Sequence, residues 1–153
     1  MLKVALLGAG RIGRVHAVNI AAHPRSELVA VADVNTAAAT ELAGLYGAQS
    51  RSIDDILADK TIDAVLIATS TDTHSDLIER ATSAGKAVLC EKPVDLSLER
   101  AKTCLKNTES SGKPVMIGFN RRFDPNFAAV KASVNAGEIG KPELLSITSF
   151  DPA

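Results

Sequence analysis

Apolar positions in this chain follow two rhythms. Short, mostly aliphatic runs alternate with longer stretches whose apolar residues recur every three or four places. The first run, Lys3 to Leu7, reads as a strand. A helix is predicted from about Ile12 to His23, with Ile12, Val15, His16 and Ile20 on its apolar face and Pro24 stopping it. A second strand covers Leu28 to Ala32. Asn35 or Thr36 can cap the alanine-rich helix that follows, and Gly47 closes it. A weak strand near Gln49 to Arg51 precedes a short helix around Ile53 to Ala58. The stretch Asp63 to Thr69 is apolar almost throughout, as a strand buried on both faces should be.

A helix from about Asp72 to Ala84 ends at Gly85, and a strand follows at Ala87 to Cys90. Ser97 caps a helix reaching about Ser110. Leu98, Ala101, Cys104, Leu105 and Thr108 share one face of it, so Cys104 reads as core. The sixth strand is Val115 to Phe119. Sustained alternation of this kind predicts an α/β fold: a doubly wound parallel sheet with helices on both faces. Beyond it Asp124-Pro125 forms an N-cap and first-turn pair. Phe127, Val130 and Val134 line a last helix closed by Gly137, and Glu143 to Phe150 alternates like a new strand. The predicted division is this α/β domain over 1–122, then a linking helix and the first strand of a second α/β domain over 123–153.

Composition narrows the class. The 153 residues fit one ordinary domain, and 46% apolar content is enough for a sizeable core. A net charge of -1 with dispersed basic residues argues against nucleic acid or a membrane surface as partner. No apolar run is long enough to span a membrane, and the N-terminus lacks the pattern of a secretory signal. Cys90 and Cys104 have neither metal-ligand spacing nor disulfide density, so no metal is expected and a reducing cytoplasm is the expected location.

The candidate chemistry starts at Leu6–His16, "LLGAGRIGRVH", where Gly8, Gly10 and Gly13 are spaced G-x-G-x-x-G between a strand and a helix. That context is the one a dinucleotide needs. Gly8 permits the tight turn, Gly10 lets backbone approach the pyrophosphate, and Gly13 lets helix and strand pack closely. Free N–H groups of the first helical turn then face the phosphates. Arg11 and Ile12 complete the loop. Asp33 lies 20 residues after Gly13 at the end of the second strand, placed to accept the adenosine ribose hydroxyls. A carboxylate there repels a 2′-phosphate, and no Arg follows within "DVNTAAA", so NAD is expected rather than NADP.

Three further loops sit at predicted carboxyl ends of strands, where open parallel sheets bind ligands. In "ATSTDTH" Thr69 and Ser70 can hydrogen-bond the cofactor's ribose or phosphate, and His74 either faces the cofactor or packs locally. In "CEKP" Glu91 and Lys92 stand at the strand end, and Lys92 can donate a hydrogen bond to a substrate hydroxyl or its developing alkoxide. In "GFNRRFDP" Arg121 and Arg122 either salt-bridge to the helix beyond or hold the nicotinamide side, the structural reading weighing at least as much for Arg121, and Arg122 being the better functional candidate. His16 reads as a satisfied core histidine, His23 as exposed, and Tyr46 has no evident reactive partner.

In order, G-x-G-x-x-G-x-x-H, Asp33, "ATSTDTH", "CEKP" and "GFNRRFDP" resemble the glucose–fructose oxidoreductase / inositol dehydrogenase / rhizopine catabolism (Gfo/Idh/MocA) family of NAD(P)-dependent oxidoreductases, and the resemblance covers the whole chain. The closing "SFDPA" is similar to the segment that opens the second domain in the inositol-oxidising branch. The resemblance implies oxidation of a secondary hydroxyl of a cyclic polyol, myo-inositol to 2-keto-inositol, with hydride passed to NAD. It implies that Lys92 is the catalytic-site lysine, that the bond before Pro93 is cis, and that Arg122 and Asp151 lie near the substrate.

In the family a second domain supplies an open sheet, an oligomer interface, often of a tetramer, and an Asp and a His that polarise and deprotonate the hydroxyl. The chain stops before these, so it reads as an N-terminal fragment or a natural truncation, expected to bind NAD without turning over substrate alone. Other readings stand beside this one: a free-standing NAD-binding or redox-sensing module, a dehydrogenase for another sugar, and a scaffold or interaction protein on a Rossmann fold.

Overall fold

The computed structural model describes residues 1–148 and 150. Six strands, β1 (Leu2–Leu7), β2 (Ser26–Ala32), β3 (Gln49–Ser50), β4 (Ala64–Ile67), β5 (Ala87–Cys90) and β6 (Val115–Ile117), pair in the order β3-β2-β1-β4-β5-β6. Every neighbouring pair is parallel. Helices α1 (Arg11–Ala22), α2 (Thr36–Leu45), α3 (Ile53–Ala58), α4 (His74–Ser83) and α5 (Leu98–Glu109) connect them, and α6 (Pro125–Asn135) follows β6. This is the doubly wound Rossmann order, with its switch point between β1 and β4.

The core follows from the period-two rhythm of the strands. Val4 and Leu6 of β1 face Ala17 and Ile20 of α1 and Ala39, Leu42 and Ala43 of α2. Ala5 and Leu7 face the other way, onto Ile56, Leu77, Ile78, Ala81 and Cys104 from α3, α4 and α5. Val65, Leu66 and Ile67 are buried against one layer or the other, which accounts for the near-continuous apolar run. Three predicted caps form: Asn35, not Thr36, accepts from the Ala38 N–H, Ser97 accepts from that of Arg100, and Asp124 from those of Asn126 and Phe127.

Several expectations are corrected. The buried stripe of α1 is Gly13, Ala17 and Ile20, while Ile12 and Val15 are exposed. Small residues face the sheet because this helix packs directly onto the turn that precedes it. On α5 Cys104 and Thr108 are buried but Leu98 and Leu105 are not. The predicted helix from 72 opens as a single 3-10 turn, Thr71–Thr73, before α4. No strand forms over 143–148: Leu144, Leu145 and Ile147 are 89%, 77% and 70% exposed. Alternation is only half of a strand's requirement, and the ladder partner is missing among the described residues. Ser149 and residues 151–153, hence Asp151, lie outside the described residues.

The chain divides into two compact units, 1–118 and 119–153. The division precedes the 122/123 boundary expected from sequence. The 3-10 turn Asn120–Phe123 packs with α6, so these residues group with the second unit.

Candidate functional site

Leu7 of β1 is in register with Ile67 of β4, and Ile67 with Cys90 of β5. The residues that follow, Gly8, Ala68 and Glu91, therefore form one rim at the carboxyl ends of three adjacent strands. The chain can turn at Gly8 because its φ is +105°, and a Cβ there would stand 2.4 Å from the Ala68 carbonyl oxygen. The Gly8 N–H donates to Ala32 O, and the Ala68 N–H to Leu7 O, both at 2.7 Å. A Cβ on Gly13 would fall 2.0 Å from the Gly8 carbonyl oxygen, so α1 can rest on the turn only with glycine there.

Gly10 differs from both. It is the N-cap of α1, no side chain caps that end, and nothing lies within 4 Å of where its Cβ would be. No side chain takes up the first-turn N–H groups at that end, and no acidic side chain in that turn repels an anion. A pyrophosphate fits this cradle. Asp33, just past β2, accepts the Ala9 N–H at Oδ2 (2.6 Å) and the Asn35 N–H at Oδ1 (2.8 Å). Its carboxylate is thus fastened to the glycine loop, and each oxygen keeps a lone pair for a ribose hydroxyl. A groove lined by Asp33, Val34, Thr36, Ser52, Ile53 and Arg80 runs on from it, with Val34 fully exposed, as room for an adenosine.

The loop after β4 is held by its own hydroxyls. Thr69 Oγ1 and Thr73 Oγ1 are 2.7 Å apart, Thr73 donates to Ser70 O at 2.8 Å, and Ser70 itself is exposed. His74 is 2% exposed, with Nδ1 2.7 Å from Pro93 O and Nε2 3.1 Å from Thr69 O. Of the two readings open for it, this geometry carries the local one: both ring nitrogens face protein carbonyls, and the ring joins the β4 loop to the turn after β5.

That turn presents Lys92. The Lys92–Pro93 bond is cis and Lys92 is exposed. The Glu91 carboxylate meets His16 Nε2 at 2.7 Å, and a Cβ on Gly118 would stand 3.3 Å from Glu91's Cδ and both carboxylate oxygens. His16 is therefore not a core histidine; it is half-buried at the rim, on the side of α1 that turns toward β5. Further on, Asp95 accepts from Ser75 Oγ at 2.6 Å and from the Ser97 N–H, and the Ser75 bond holds its carboxyl below the usual range. Cys90 lies beneath the turn, its thiol pushed up to about 12 by burial, so it offers no nucleophile here.

Arg121 and Arg122 belong to the second unit. Their guanidinium carbons lie 5.7 Å from the Phe127 ring centroid and 5.4 Å from that of Phe123. Sequence reasoning missed the His16–Glu91 pair, the Ser75–Asp95 bond and the role of Gly118. The one available signal was a glycine directly after β6, across from an acid directly after β5.

Parallel order, glycine cradle and rim acid together define a dinucleotide-binding domain. The sequence model of the Gfo/Idh/MocA oxidoreductase family, described as an NAD-binding Rossmann fold, matches residues 2–119, and the chain belongs to that family with NAD as its cofactor. It is 53% identical over 152 residues to an inositol 2-dehydrogenase of Rhizobium meliloti, covering 99% of this chain and 46% of that protein. It is 38% identical to a myo-inositol 2-dehydrogenase of Thermotoga maritima, covering 99% and 46%. A crystal structure of scyllo-inositol dehydrogenase from Lactobacillus casei with bound NAD(H) and scyllo-inositol superposes with a TM-score of 0.86 at 32% identity, over 92% of this chain and 42% of that one. The chain thus spans a little under half the length of these relatives.

Proposed function

We propose that this chain is the cofactor half of an NAD-dependent dehydrogenase that oxidises a secondary hydroxyl of a cyclic polyol, myo-inositol to 2-keto-inositol. The observation that supports it most is the place of Lys92: exposed, on the same strand-end rim as the glycine cradle. β5 lies two strands from β1, about 10 Å at ordinary strand spacing. The high identity to proteins named inositol 2-dehydrogenases points to the substrate.

In this reading α1's first turn holds the pyrophosphate, Asp33 the adenosine ribose, and the Thr69–Ser70 loop the second ribose. Bound NAD supplies the hydride acceptor. Lys92 donates a hydrogen bond to the reacting oxygen and steadies charge that develops there. An ammonium is a donor and not a base. We assign the base to residues that the relatives carry beyond the matched half.

NADH formation with myo-inositol tests this, measured on these 153 residues and on a polypeptide extended to the relatives' length. The extended protein should turn over, and Lys92→Ala should remove most of that activity. The 153 residues alone should bind NADH without turnover. Robust turnover by them would overturn the division of labour. NADH binding with no polyol activity in the extended protein would favour a binding module.

A further inference from the structure

We propose that His16 is a positioning residue for Lys92, acting through the Glu91 carboxylate; the inference rests on the reading of Lys92 as the lysine that meets the substrate oxygen. His16 sits in the second turn of α1, directly after the turn that forms the phosphate cradle. Its Nε2 lies 2.7 Å from Glu91 Oε1, joining residues 75 positions apart. The other Glu91 oxygen is 3.3 Å from the Lys92 backbone N–H. Glu91's own N–H donates to Ile67 O at 2.9 Å, so its backbone is fixed in the sheet while its carboxylate leans between α1 and residue 92.

Two features show that this arrangement is built for the carboxylate. Gly118 leaves the space that the carboxylate fills, since a Cβ there would come within 3.3 Å of it. The His16 and Glu91 side chains are only 20% and 23% exposed, so solvent screens their contact less than a surface pair. On the far side Pro93 O is held by His74. Lys92 is therefore the exposed member of a turn clamped from α1 on one flank and from α4 on the other. A long flexible side chain is aimed only as well as its backbone is fixed, and a displacement of about 1 Å can cost on the order of 100-fold in rate. His16 thus ties the position of the reactive lysine to the helix that holds the cofactor.

The test uses the polypeptide extended to the relatives' length with His16→Ala, His16→Gln, Glu91→Gln and Lys92→Ala. Three quantities are read: polyol-dependent NADH formation, NADH affinity with thermal midpoint, and trace acetylation of Lys92 relative to the other lysines. His16→Ala should lower kcat about 10-fold or more, leave NADH affinity within about 3-fold, and raise Lys92 acetylation. His16→Gln, whose amide can still donate to Glu91, should recover most of the kcat. A His16→Ala protein with unchanged kcat per folded molecule and unchanged acetylation overturns the proposal. Should His16→Ala fail to fold, equal kcat and acetylation in Glu91→Gln and wild type do so instead. Turnover that survives Lys92→Ala would sink the reading of Lys92, and the acetylation ratio would still decide whether His16 positions it.

Discussion

The carbonyl oxygen of Gly8 stands 2.0 Å from where a Cβ on residue 13 would be, whereas the equivalent point on Gly10 has no atom from beyond its own chain neighbours within 4 Å. The two glycines therefore fail differently when changed. Gly13→Ala forces α1 off the turn and should cost about 2 kcal/mol or more of stability, with NAD binding lost as a consequence. Gly10→Ala should fold with a loss under about 1 kcal/mol yet bind NAD poorly, because its methyl occupies the phosphate's space. Thermal melts paired with NADH fluorescence titrations separate the two; equal melting losses would contradict the packing seen at Gly13.

Asp33 accepts the N–H groups of Ala9 and Asn35, bracing the glycine loop, and in the proposed reading it also faces the ribose. Asp33→Asn keeps one acceptor oxygen and loses the charge. It should weaken NAD binding by about 10-fold, roughly the 1.4 kcal/mol of one charge-assisted hydrogen bond. NADP binding should weaken less, since the repulsion of its 2′-phosphate is relieved. Isothermal titration of both cofactors against both proteins measures this, and an unchanged NAD/NADP ratio would remove the ribose assignment.

Helices α4 and α5 are joined by Arg100, whose two terminal nitrogens meet Glu79 at 2.6 and 2.9 Å, with Asn107 adding a third bond at 3.1 Å. The Arg100 hydrogen bonds hold the Glu79 carboxyl below its ordinary value of 4.5. A carboxylate depressed in the folded state contributes stability that is present above the unfolded value and lost as pH falls through the folded one. Glu79→Gln should therefore lie about 1 kcal/mol below wild type near neutrality, and the two curves should converge in acid. Melting curves taken across the acid range check it; a gap that does not narrow would mean packing, not charge, explains the loss.

Burial pushes the Cys90 thiol up to about 12 and Cys104 in the same direction. Both should resist DTNB at about pH 8 in the folded chain and react together once it is denatured. The sign at high pH follows. Above the ordinary thiol value of 9.0 the unfolded chain loses protons that the folded chain keeps, so stability falls as pH rises. The slope reaches about 1.4 kcal/mol per pH unit for each such thiol. Fast reaction of either thiol in the native state would contradict the burial.

The parallel α/β architecture, the order of its elements, the glycine turn, Asp33 and the place of Lys92 after a strand were all legible in the chain. Each depends on a local requirement that leaves a local trace. A strand buried on both faces must be apolar throughout, a left-handed turn selects glycine, and a helix start selects Asn, Ser or Asp. What tertiary structure alone decided was which groups meet. His16 looked apolar-facing by helical spacing, but the packed fold brings the Glu91 carboxylate, just past β5, to 2.7 Å from its Nε2. Lys86 stands just before β5 like any loop lysine, yet it is 2% exposed, its ammonium bonded to the Ile62 carbonyl at 3.0 Å and to that of Asp59. "ELLSITSF" has the rhythm of a strand and forms none over 143–148, because a strand is completed by hydrogen bonds to a neighbour that the rhythm does not encode. Periodicity records what each residue needs from its own backbone, and only the packed sheet determines which distant residue supplies the partner.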